Sequence, residues 1–406
     1  MNLLRSVATL TLTWVLLVGL GATACDAGGE SGTALVTDSA GVEIVTNRGN
    51  LWREGDEWQV SPDPELSIGT FEGDAVYELF QVQGAVRLPD GTIIVLNAGT
   101  NELRSYDGDG RHRWSVGGEG EGPGEFRIPT DIYVLGSDTI MVWDLQLRRM
   151  SVFHRDGSSV RSFSIRGTDS SYRPIALFEE RRLLATTSTV FSPASEPGAQ
   201  RDTSVYVLFS LDGDSLTHLG TFPGTEQFVR TAGGGMAVIP LVFGRTSHHA
   251  TRATSLYVGT NDSYAIDEYD RKGRLVRSIR RDVDPIPVTG EMFAAEVGIR
   301  LERMREQFRS LLGPLYDEMP KPQSLPYYSA IQIDPDGHVW VEEFTSVSVP
   351  ATEWTVFDSA GVMLGQVTFP DGLDVYEIGR DYVLGRWRDE SDVEYVHLHE
   401  LTRRSG

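Results

Sequence analysis

The sequence predicts an all-β fold, a six-bladed β-propeller with one helical insertion between blades four and five. Three observations predict it. A unit of four short, alternating segments recurs at a spacing of about 45 residues where uninterrupted, as propeller blades do. Asp-Gly and similar turns close those segments, glycine supplying the positive φ that tight hairpins need. A single stretch breaks the β pattern with apolar residues at helical spacing.

The first unit runs through Gly84 to Asn97, Glu102 to Gly110 and His112 to Val116. The second runs through Asp131 to Val134, Asp138 to Asp144, Arg149 to Gly157 and Val160 to Ile165. Ile175 to Phe222 reads as a degenerate third copy, with Leu208 to Gly213 as its hairpin. The fourth centres on Ser255 to Thr260 and Ile266 to Gly273. Ala330 to Glu343, Trp354 to Gly361 and Val362 to Phe369 make the fifth, and Leu373 to Leu401 the sixth. The sixth copy lacks an outer strand. Glu65 to Gly69, which matches Arg113 to Gly117 and precedes the first blade, is predicted to supply it and so to remove the exposed edges of an open ring.

Ahead of the repeats, Arg5 precedes an apolar run from Val7 to Leu20, which reads as a secretory leader over residues 1–24. The following Gly21-Ala22-Thr23-Ala24-Cys25 resembles a bacterial lipobox, with Ala22 where leucine is usual. Cys25 is the only cysteine, and a lone exported thiol in an oxidising compartment is chemically awkward, which favours lipidation at Cys25. Residues 25–40 are expected to be a flexible tether, 41–406 the propeller, and 288–325 the insertion. The expected location is the bacterial cell envelope, anchored to a membrane through the lipid; Asp26 leaves inner or outer membrane open. The net charge of −22, from 58 acidic and 36 basic residues, argues against nucleic acid as a partner.

The run Leu88-Pro-Asp-Gly-Thr-Ile-Ile-Val-Leu-Asn97, then Leu103-Arg-Ser-Tyr-Asp107, then Gly118 to Phe126 with Pro129, resembles NHL-repeat six-bladed propellers. Within these the chain is similar to poorly characterised bacterial propeller lipoproteins. The resemblance covers residues 80–165 best, then 255–280 and 328–370. It implies a shared fold and little about activity.

Aligning the units places Asn97, Asp144, Thr187, Thr260, Glu343 and Arg386 at the ends of the second strands, on the face that also carries the second-to-third-strand and interblade loops. Two readings compete: a ring of ligand-binding groups at one mouth of the channel, or Asx-type caps on the turns that follow. The cap reading suits Asn97 and Asp144, and the ligand reading suits Glu343 and Arg386, unless these two pair with each other. Three insertions are expected on that face: Gly117 to Phe126, Ser188 to Thr203, and Val288 to Leu325 with one amphipathic helix beginning at Glu291. His248 and His249 are expected in a first-to-second-strand loop on the opposite face. The loop at Gly118 is not a phosphate cradle, since Glu119, Glu121 and Glu125 would repel a phosphate.

Function is expected to be non-catalytic: a lipid-anchored propeller binding a peptide, a glycan or an envelope partner protein through its loop-rich face, with no cofactor. The alternative is a metal-dependent hydrolase or lyase of the six-bladed propeller type. Gluconolactonase-like six-bladed propellers hold a divalent metal with a Glu, Asn and Asp set, and Asn97, Asp144 and Glu343 offer such hard oxygen donors here, suited to calcium better than zinc. No Gly-x-Ser-x-Gly elbow is present.

Overall fold

The computed structural model describes residues 33–166, 172–178, 181–188, 196–232, 235–346 and 352–404. The leader, Cys25 and residues 189–195 of the third-blade insertion lie outside them. The described residues form six β-sheets. Sheet one comprises Val82–Arg87, Ile93–Asn97, Glu102–Tyr106 and His112–Gly117, and sheet two Pro129–Leu135, Thr139–Asp144, Arg149–His154 and Ser159–Ser164. Both are antiparallel meanders in sequence order. The remaining four sheets begin at Arg173, His248, Tyr328 and Asp374.

Each sheet buries both faces, which explains why the second strands are apolar throughout rather than alternating. In sheet one, Ile94 and Leu96 pack with Ile140, Val142 and Phe153 of sheet two. Ile93 and Val95 pack the other way, with Leu384, Val396 and Leu398 of sheet six. Equivalent clusters join sheets two and three through Trp143 and Phe209, and three and four through Tyr206 and Leu256. Others join four and five through Ile279 and Phe357, and five and six through Trp340 and Val383. The first strands touch their neighbours in the same cyclic order, the last against the first. The chain is therefore a closed β-propeller.

Closure is made by the N-terminal segment. Leu66–Ile68 pairs with Val396 to Leu398 of sheet six, as the sequence predicts for Glu65 to Gly69, and Gln59–Val60 extends the pairing along Leu401 and Thr402. Upstream, Val42–Asn47 adds in parallel to Leu275–Arg281 of sheet four, with Ala34–Ser39 antiparallel outside it. Residues 34–39, expected in the tether, are thus a strand. Val45 and Asn47, both fully buried, seat this hairpin on the sheet.

The two ends of the ring differ. One is built of tight turns in which Asp107, Ser210, Asp270 and Asp358 each accept two backbone amides, three residues before Gly110, Gly213, Gly273 and Gly361. At Gly273 (φ +74°) a Cβ would also strike the Leu219 carbonyl of sheet three, so glycine is required twice over. The other end, the loop face, carries the second-to-third-strand turns and the connections between sheets. There the long strands Gly198–Ser210 and Ser215–Ala232 pair with each other and run past the ring, and Ser215–Ala232 pairs in turn with Gly235–Pro240.

The insertion between sheets four and five lies on that face as two helices, α1 (Gly290–Glu302) and α2 (Glu306–Glu318), where a single helix is expected. Thr289 caps α1 by accepting from the Met292 amide (3.1 Å). The chain breaks at Arg303 to Arg305, and the Arg309 guanidinium donates to the carbonyls of Leu301, Glu302 and Met304, satisfying the end of α1. Leu315, Tyr316 and Met319 pack on Phe228, Ile239, Val242 and Phe243 of the sheet-three extension. Arg230 pairs with Glu318 (2.8 Å) across the same contact.

Candidate functional site

Asn97 and Asp144 end the second strands of sheets one and two and are both fully buried. Asn97 Oδ1 accepts from the Phe80 amide (2.8 Å), and its Nδ2 donates to Thr100 Oγ1 (2.9 Å). Asp144 accepts from the amides of Arg127 (2.6 Å), Ile128 (3.1 Å) and Leu147 (2.8 Å). Both side chains staple the preceding between-sheet connection to the strand end, leaving no face for a ligand.

In sheet four the equivalent residue is not Thr260 but Asn261, one position later. Its Oδ1 accepts from the Thr246 amide (2.9 Å) and its Nδ2 donates to the Tyr328 carbonyl (3.0 Å). Thr260 lies just past the strand and its hydroxyl donates to Asp262 (2.6 Å). The missed signal is the spacing: each stapling side chain reaches an amide 15 to 17 residues upstream. Thr187 lies in Arg182–Ser188, half-buried, opposite Val205.

Glu343 ends its strand and is held by Arg281 Nη1 (2.7 Å), Tyr264 OH (2.9 Å) and Thr355 Oγ1 (2.5 Å). Arg386 lies inside Tyr382–Arg388 rather than at its end. It binds Asp374 (2.6 Å), the Val82 carbonyl (2.9 Å) and Glu394 (3.5 Å), so it does not pair with Glu343. Glu394 also accepts from the Val82 amide (2.6 Å), and Tyr376 OH donates to the Val82 carbonyl (2.8 Å), so this group fastens sheet six to sheet one.

The structure brings two charged groups to the mouth that alignment of second-strand ends did not find, one at the starts of first strands and one a single residue before a second-strand end. In sheets two to four, Arg173 pairs with Asp131 (2.8 Å) beside His249. His248 and His249 begin the first strand of sheet four, on the loop face; the expected loop on the opposite face is Ala253 and Thr254, further along the chain. Burial holds the His249 imidazole down at about 4, with Arg173 adding to it. In sheets five and six, strand alternation turns Glu342 toward sheet six with Trp340. Burial there and the nearby Asp374 raise the Glu342 carboxyl to about 7. Among the described residues it has no hydrogen-bond partner.

Asn97, Asp144 and Glu343 are each committed to other contacts. Among the described residues no group of three or more His, Cys, Asp or Glu side chains is placed to hold a metal ion.

No family profile and no curated protein matches the chain. Solved structures with a similar chain course include a protein of Bacteroides fragilis NCTC 9343 described as exported (12% identity, 89% of this chain and 100% of that one, TM-score 0.48). A DUF4221 member from Bacteroides vulgatus is 9% identical over 86% of this chain and 99% of its own, with a TM-score of 0.49. An inactivated virginiamycin B lyase from Staphylococcus aureus is 9% identical over 85% and 99%, with a TM-score of 0.42. At these identities the likeness concerns fold alone.

Proposed function

We propose that this chain is a lipid-anchored, non-catalytic binding protein of the bacterial envelope whose loop face holds a partner polypeptide. The observation that carries the reading is where apolar surface is left uncovered. Of thirteen large hydrophobic side chains exposed among the described residues, eight belong to loop-face connections. Phe71, Phe80, Ile128 and Leu145 lie around the joins of sheets six to one and one to two; Val283 and Ile286 lead into α1, and Phe308 and Leu311 stand on α2. Apolar surface gathered at one end of a polar molecule marks an interaction site. Aliphatic and aromatic groups standing near exposed Glu72 and Glu78 suit a polypeptide that carries apolar and basic side chains better than a glycan.

The test replaces Phe71, Phe80, Ile128 and Leu145 together by serine and compares crosslinked partners in envelope preparations. Exposed positions change folding stability by only about 0.5 kcal/mol each. The expected result is loss of a specific crosslinked protein at unchanged melting temperature, and an unchanged crosslink pattern overturns the reading. For the anchor, Cys25→Ser is expected to move the protein into the soluble envelope fraction; retention with the membrane refutes lipidation there.

A further inference from the structure

Over the outer part of sheet four, on the loop face, lies a cavity of about 470 Å³. Its polar floor follows from register. Ala265 pairs with Arg280 and Asp267 with Ser278, so these four side chains share one side of the sheet. Ile266 and Ile279 take the other side, in the core between sheets four and five. Tyr327 and Ser263 complete the walls.

The charges here are unequally used. Arg281 is taken by Glu343 (2.7 Å), and Asp282 lies against Arg48 (3.5 Å). Arg280 donates Nε to Ser278 Oγ (3.1 Å), and its two terminal nitrogens have no acceptor among the described residues. Asp267 lies near the Tyr269 hydroxyl and forms no ion pair among the described residues. Arg280 and Asp267 are diagonal neighbours on paired strands, near enough to flank one space, and they form no ion pair with each other. A simple anion entering that space meets Asp267, and a simple cation meets Arg280. A molecule carrying both charges on groups borne by one carbon satisfies both.

We propose that this cavity binds a free α-amino acid, with its carboxylate on Arg280, its ammonium on Asp267 and its side chain against Tyr327. The volume is within the range of small-ligand pockets, about 300–1,000 Å³. The cavity meets the apolar rim only at Val283, and none of Phe71, Phe80, Ile128 and Leu145, the four residues replaced to test the partner reading, lines it, so the two tests fail independently.

The experiment is calorimetric titration of the purified protein at neutral pH with alanine and phenylalanine, with their N-acetyl derivatives, and with their amides. Each derivative removes one of the two charges. Saturable binding of the free amino acids is expected, with a Kd of about 1 mM or tighter. Either blocked form is expected to bind at least about tenfold more weakly, as loss of a charge-assisted hydrogen bond requires. Arg280→Gln and Asp267→Asn are each expected to give a similar loss with the melting temperature of the parent. The proposal is overturned if no free amino acid binds, if the blocked forms bind as well as the free ones, or if both variants keep the parent affinity. The blocked series on the unaltered protein decides the matter even where a variant proves unstable.

Discussion

Asn97, Asp144 and Asn261 show how one kind of residue is used three times: a short polar side chain at a strand end, buried and aimed at backbone amides. Removing such a side chain strands a buried amide, so Asn97→Ala and Asn261→Ala are each expected to cost about 1–3 kcal/mol in urea unfolding. Thr260→Ala, at a partly exposed position, is expected to change stability by less than about 0.5 kcal/mol. Equal effects at Thr260 and Asn261 would contradict the register. Titration divides the charged residues in two. His248, His249 and His397 are held down at about 4 by burial, below their ordinary value of 6.5. The unfolded chain therefore takes up protons first, and stability is expected to fall as pH drops from about 6.5 to 4. Glu342 has the opposite sign, because its carboxyl is raised to about 7 from 4.5. Its contribution is complete below 4.5 and is lost as pH rises through 7. Glu342→Gln is accordingly expected to match the parent near pH 4.5 and to exceed it at pH 8 by roughly 1–3 kcal/mol. Thermal melts of both proteins across that range check the sign.

Among elements, the closing strand Leu66–Ile68 was legible because its side chains repeat a pattern found in an outer strand elsewhere. Ile68 is buried with Leu384, Val396 and Leu398, so Ile68→Ala is expected to cost about 2–5 kcal/mol. The helical insertion was legible as helical and misjudged as one piece. Periodicity runs on through Arg303 to Arg305, and the break exists because Arg309 folds back onto the carbonyls of α1. The pair packs on the ring through α2. Leu315 is buried against the sheet-three extension, and Leu315→Ala is expected to speed amide exchange in α2 and in Gly235–Pro240 together, with sheets one and two unaffected. Exchange confined to α2 would show that the two do not stabilise each other.

At the scale of the molecule, residues 34–68 cross the outside of the ring from sheet four to sheet six. Leu51 and Trp52 donate to the carbonyls of Met363 and Leu364 in sheet five on the way. Each sheet buries apolar side chains on both faces, so a ring missing this segment exposes the outer parts of two sheets. Removal of residues 33–69 is expected to yield aggregate or a chain without a cooperative melt, since open sheet edges pair with other chains. A soluble, cooperatively melting product would show that the three-stranded remainder of sheet six closes the ring by itself.

The repeat of four segments, the Asp-Gly turns and the matching outer strand are local patterns, and from them alone the chain is determined as a closed ring of like sheets with one helical interruption. Alternation within a strand also determines which residues face a neighbouring sheet. Which polar side chains meet is another matter, because it depends on contacts between sheets far apart in sequence. Glu343 finds Arg281, Arg386 finds Val82, and Arg173 finds Asp131. A shift of one residue exchanges a buried staple for a partly exposed hydroxyl, as between Asn261 and Thr260, or an ion-paired carboxylate for an unpaired one, as between Glu343 and Glu342. Only tertiary packing decides which of the two it is, because the fate of a charge rests on the partner that packing brings within reach.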